Sequence, residues 1–96
     1  MGGDDRILRF TIPVTSGRYE LELPIGTIAC IGVKKGEDAV SLWVRTSVTL
    51  TKKRVLHVVE TGESFHSQLH YLTSFMFQEK DGSIYVGHVL EETDSD

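Results

Sequence analysis

Four histidines, one cysteine and a scatter of carboxylates are the side chains of this 96-residue chain that could do acid–base, nucleophilic or metal chemistry. His66 and His70 stand four residues apart, the spacing that sets two imidazoles on one face of a helix and binds zinc in metalloproteases. That motif also needs a glutamate directly after the first histidine as general base, and Ser67 stands there. His57 and His88 fall within alternating, strand-like stretches, where a histidine usually serves as a hydrogen-bonded residue beside a core. Cys30 lies in the apolar run Ile28-Ala29-Cys30-Ile31 and reads as a small buried hydrophobe. A reactive thiolate would need an electropositive, partly exposed setting. Glu20 and Glu22 share the polar face of one strand and could flank a groove, but a solvated face is the plainer reading. There is no Gly-x-Ser-x-Gly elbow, and Gly32 and Gly36 lack the Lys-Ser or Lys-Thr of a phosphate loop. The expectation is a chain with no catalytic residues, no metal and no cofactor.

Binding chemistry is better represented. Trp43 sits between Ser41 and Arg45, opposite in alternation to Val40, Leu42 and Val44. If its strand is central, Trp43 enters a second buried layer. If that face is open, Trp43 is an interface anchor, since Trp and Arg dominate interface energetics. Phe75, Met76 and Phe77 are consecutive on a strand and must face both ways, so at least one meets a second layer, a partner or water. We therefore take Trp43, Phe75 and Phe77 as interface residues and favour a homo-oligomer. The longest break in the strand rhythm, residues 61–70, supplies Thr61, Gly62 and His66 as the candidate binding residues, because long connections in small domains often carry function.

The elements that must hold these side chains alternate with a period of two. Leu8, Phe10 and Ile12 share one face of the first run, residues 6–14. Tyr19, Leu21 and Leu23 oppose Arg18, Glu20 and Glu22 in the second, residues 18–23. Pro24-Ile25-Gly26 carries the residues of a type II turn, with Gly26 at φ > 0. Residues 27–34 are nearly all apolar and should form a central strand buried on both faces. A turn at 35–38 leads to a fourth strand over 39–48 and a fifth over 52–60. Residues 61–70 read as an ordered loop or a single helical turn. Residues 71–78 and 83–91 form a hairpin across Lys80-Asp81-Gly82, where Asp-Gly suits a two-residue turn with both positions at φ > 0. The expected fold is all-β, about seven mainly antiparallel strands in a small sandwich or partly closed barrel. Residues 6–91 make the domain, between a disordered N-terminus at 1–5 and a flexible acidic tail at 92–96.

Ten basic against fourteen acidic residues leave a formal charge of −4. Phosphate neutralisation drives nonspecific nucleic-acid binding, so nucleic acid is not the expected partner. No apolar run approaches the roughly 20 residues of a membrane helix. The acidic start, Met1-Gly2-Gly3-Asp4-Asp5, is unlike a secretory leader, so a cytoplasmic protein is expected.

In order along the chain come Ile7-Leu8-Arg9-Phe10, Leu21-Glu22-Leu23-Pro24-Ile25-Gly26, Leu42-Trp43-Val44, and Arg54 leading into Thr61-Gly62. Tyr71-Leu72-Thr73-Ser74 and His88-Val89-Leu90-Glu91 close the series. Over residues 6–91 this pattern resembles a domain-of-unknown-function family of small bacteriophage proteins. The family shows Gly-Thr-Gly-His where this chain has Glu60-Thr61-Gly62-Glu63, so no role of that histidine carries over. The resemblance implies a phage genome and a host-cell cytoplasm, and no reaction. Together these readings favour an accessory protein that binds a host protein. A homo-oligomeric small-ligand module is the alternative, and a minor virion component the third.

Overall fold

A computed structural model describes residues 4–33, 39–47 and 50–93. The turn expected at 35–38, the end of the acidic tail and the side chain of Cys30 lie outside the described residues. Seven strands follow in chain order: β1 Arg6–Pro13, β2 Gly17–Pro24, β3 Thr27–Val33, β4 Ala39–Thr46, β5 Thr51–Glu60, β6 His70–Gln78 and β7 Ile84–Glu91. They form a three-stranded sheet in the order β1-β4-β3 and a four-stranded sheet in the order β2-β5-β7-β6. Every pairing is antiparallel, and the sheets do not close into a barrel. No helix occurs among the described residues.

The alternation dictates the packing. Ile12, Leu23, Ile28, Val40, Leu42, Val44, Leu56, Val58, Phe75 and Val89 point between the sheets and form one core, flanked by Phe10, Tyr19, Leu21, Leu72, Phe77 and Tyr85. Burying such side chains stabilises by about 1.5–3 kcal/mol each relative to exposure, which is why this face-to-face arrangement is preferred to separate sheets.

Three expectations are corrected. β3 is an edge strand, not a central one. Its apolar run includes Ala29, which is exposed on the outer face, while the strand packs laterally against β6. Gly26 is not at positive φ. Its need is for space, because a Cβ there would collide with the Arg45 carbonyl oxygen. In the β6–β7 hairpin only Gly82, at φ 91°, is left-handed, and Asp81 is not. The Gly82 amide donates to Glu79 O (3.0 Å) and the Glu79 amide to Ser83 O (2.8 Å). This is a longer loop with one glycine at the left-handed position, held by Asp81 accepting from the Ser83 amide at 2.9 Å.

Because β5 and β6 both run antiparallel to β7, they run parallel to each other. The 61–69 connection must therefore carry the chain back along β7. The inner face of β7 is occupied by the other sheet, so the connection is a strap on the outer side.

Candidate functional site

Two outer faces carry the chemistry. On the four-stranded sheet, Leu90 lies opposite His57 on β5 and Tyr71 on β6. His88 and Glu92 are its next neighbours along the chain on that face. Leu90 is fully buried although it stands outside the core between the sheets, and Val55 and Val59 of β5 are buried on the same side. A fence of polar side chains thus covers a small second apolar layer.

The fence is hydrogen-bonded throughout. Thr61 Oγ1 stands 2.9 Å from His88 Nε2, and Tyr71 Oη stands 3.0 Å from His88 Nδ1. His88 thus ties Thr61, at the start of the strap, and Tyr71, just past its end on β6, to β7. His57 Nε2 lies 2.8 Å from Glu92 Oε2. Arg18 Nε donates to the same oxygen at 2.9 Å, and its Nη1 donates to Glu20 at 2.7 Å. The Arg18 hydrogen bond, then that of His57, hold the Glu92 carboxyl below its usual range. Hydrogen bonds to Glu92 first and Glu20 second raise Arg18 in turn. With its amide donating to Val55 O at 2.9 Å, Glu92 is an anchored residue at the start of the acidic tail.

Thr61, His88 and Tyr71 follow the connectivity of a nucleophile, a base and a group that orients the base. The orienting group is a phenol, which does not stabilise an imidazolium as a carboxylate does. The arrangement serves better as a fastener than as a base.

Of the three strap residues expected to bind, Thr61 belongs to this cluster. Gly62, at φ 95°, is the third residue of a turn closed by the Glu63 amide on Glu60 O at 3.0 Å. Glu63 also accepts from the Ser16 hydroxyl at 2.6 Å, which together with the Glu60 amide keeps its carboxyl below the usual range. His66 is exposed, its Nδ1 accepting from the Gln68 amide at 3.2 Å. It shares no helix face with His70, which opens β6. Among the described residues, no three His, Cys, Asp or Glu side chains gather as metal ligands would.

At the foot of the same sheet, Arg54 and Glu91 form a bidentate pair of 2.6 and 2.8 Å. Their side chains are only 9% and 15% exposed. Arg54 Nη1 also donates to Pro24 O (3.0 Å) and Gly26 O (2.9 Å), binding the β2–β3 turn to the sheet. The pair lines a cleft of about 480 Å³ whose walls include Arg18, Lys53, His70 and Glu92. Thr61, Gly62 and His66 do not line it.

The outer face of the three-stranded sheet is simpler. Trp43 on β4 lies directly between Arg9 of β1 and Ala29 of β3. The Arg9 guanidinium carbon sits 5.8 Å from the Trp43 ring centroid, within range of a cation–π contact. Arg45 follows on the same face, its Nε donating to Asp5 Oδ2 at 2.9 Å. Exposed Ile7 is opposite Arg45. β4 is central within its sheet, and along this face Ser41 is buried, Trp43 is half-buried between its neighbours and Arg45 is exposed.

Phe75, expected at an interface, is in the core at 3% exposed. It fits there because Gly87, opposite on β7, leaves room for its ring. Phe77 is partly buried and stacks obliquely on Tyr85 at 4.9 Å. Met76, between them, is the exposed one.

The chain matches the family model described as "Domain of unknown function (DUF7352)" over residues 4–96, and it belongs to that family. The description assigns neither an activity nor a source. No curated protein and no solved structure matches the chain.

Proposed function

We propose that this chain is a non-enzymatic, phage-encoded accessory protein that binds a host protein in the host cytoplasm. We assign the binding to the open face of the three-stranded sheet. The observation that carries this reading is Trp43, centred on that face with Arg9 stacked beside it and Ile7 exposed nearby. A half-buried tryptophan on the central strand with an arginine beside it on β1 are residue types that supply most interface energy. The phage setting rests on the order of sequence motifs. Affinity capture from host lysate with wild type, Trp43→Ala and the opposite-face control Thr61→Val tests the proposal. A stoichiometric partner retained by wild type and Thr61→Val but lost with Trp43→Ala supports it. No partner, or equal recovery by all three, refutes it.

The cleft beside Arg54 favours a second reading, a small-ligand module. Native mass spectrometry after incubation with host metabolite extract separates the two. A retained small molecule released by denaturation supports the module.

A further inference from the structure

Free strand edges invite pairing, and proteins protect them with bulges, charges, prolines or covering elements. Three of the four edges here are protected. β3 carries a register break between Cys30 and Gly32, β6 carries one between Tyr71 and Thr73, and these two edges pack on each other. β2 presents Arg18, Glu20 and Glu22 along its outer face. β1 is the least protected: it carries Arg6 and Arg9 and ends at Pro13, but it has no bulge. Its pairing with β4 is unbroken from Arg6 to Pro13, and among the described residues no strand pairs with its far side. Its first half is exposed on both faces, Ile7 at 65% and Leu8 at 37%.

We infer that a second copy of this chain adds antiparallel across β1, with Ile7 on the two-fold axis. The occupant is identified by self-complementarity. With Ile7 opposite Ile7 of the partner subunit, Arg9 falls opposite Asp5 of the partner subunit, and the reverse pair forms by symmetry. Directly opposed residues share a face, so these pairs extend the row that runs from Trp43 through Arg9. Asp5 already receives Arg45 on Oδ2, which leaves its other oxygen as the acceptor for a cation from across the axis. Arg9 has the Trp43 ring beside it and no carboxylate among the described residues. On the inner face Arg6 falls opposite Leu8, whose apolar surface its methylene stem can cover. The overlap spans residues 4–10, clear of Pro13, which could not donate to a ladder. The product is a continuous six-stranded sheet, in which Ile7 and Arg9 at the axis adjoin the Trp43 face proposed to bind a partner.

Sedimentation velocity over micromolar to near-millimolar concentrations tests this on the full chain. The wild type is expected to move from monomer to dimer, more weakly at high salt. Arg9→Glu and Asp5→Arg each create two like-charge oppositions across the axis and should weaken dimerisation by roughly 100-fold. Mixed in equal amounts, the two variants set the introduced glutamate of one against the introduced arginine of the other. The unaltered Asp5 of the first then faces the unaltered Arg9 of the second. Both oppositions are attractive, and a heterodimer should be restored. Circular dichroism confirms that each variant is folded before mixing. A wild type that stays monomeric, a dimer indifferent to both substitutions, or a mixture that does not recover overturns the inference.

Discussion

Replacing Glu91 by glutamine should destabilise the protein far more than loss of any solvated carboxylate. Arg54 and Glu91 are joined by two short bonds in a site from which both side chains are largely excluded from water. Removing one member of a buried ion pair leaves the other charge uncompensated, which costs about 3–5 kcal/mol. Domains of this size have a total stability of about 5–15 kcal/mol, so the loss is a large share of it. With a urea m value of about 1–3 kcal/mol/M, a loss of about 3 kcal/mol lowers the midpoint by roughly 1–3 M. Arg54→Met should cost more than Glu91→Gln, because the Pro24 and Gly26 carbonyls also lose their donor. The double variant Arg54→Met/Glu91→Leu should recover much of the single losses, since an apolar pair leaves no stranded charge. Urea titrations of the three variants, followed by circular dichroism, measure this. A loss below about 1 kcal/mol for Glu91→Gln, the range of a solvated surface pair, would refute the reasoning.

Two further outcomes follow. In Gly87→Ala the new methyl would meet the Phe75 ring, with two of its atoms only 2.8 and 2.9 Å from the added carbon. Overpacking of this kind typically costs about 1–3 kcal/mol, and Phe75→Leu in the same chain should relieve part of it in thermal melts. The Glu20, Glu63, Asp81 and Glu92 carboxyls all lie below their ordinary values, led in each case by a side-chain hydrogen bond, from Arg18, Ser16, Ser83 and Arg18 respectively. Groups lowered in the folded state add stability that is present above their unfolded values and lost as pH falls through the folded ones. Stability should therefore decline on acidification from about pH 4.5 downward, weakly and with screening by salt, since these groups are solvated. Burial raises Tyr85 from its ordinary 10.0, so that contribution holds below pH 10 and is lost above it. Urea midpoints measured from acid to alkaline pH would show both declines; a midpoint that rises on acidification would contradict the assignment.

The parts of the fold legible in the sequence are those fixed by local alternation. Val40, Leu42, Val44 and Thr46 are all buried on one side of β4, and Tyr19, Leu21 and Leu23 all face inward from β2, as their period of two requires. Strand order is a different kind of information. An apolar run is the same string whether its strand lies at the centre or the edge, and so alternation alone misplaces β3. Trp43 shows the same gap, because being central within a sheet does not bury both faces of a strand. Arg54 and Glu91 are 37 residues apart, and Thr61 and His88 are 27 apart. Only the crossover of the strap along β7 brings the second pair together. Thr61 could be singled out because it opens the longest break in rhythm, whereas His88 resembles any strand histidine. Gly26 carries the residue signature of a turn, and its true constraint, the Arg45 carbonyl, lies on a strand that the turn residues do not reveal.

The chain holds a single tryptophan, so its fluorescence reports the proposed binding face alone. Emission should be recorded while a partner captured by the wild type is titrated in, using a partner preparation whose own tryptophans are masked by fluoro-substitution. The expected result is a saturable shift of Trp43 emission to shorter wavelength as the ring leaves water, with a midpoint equal to the dissociation constant. Binding that proceeds to saturation with Trp43 emission unchanged would place the partner elsewhere and contradict the assignment of this face.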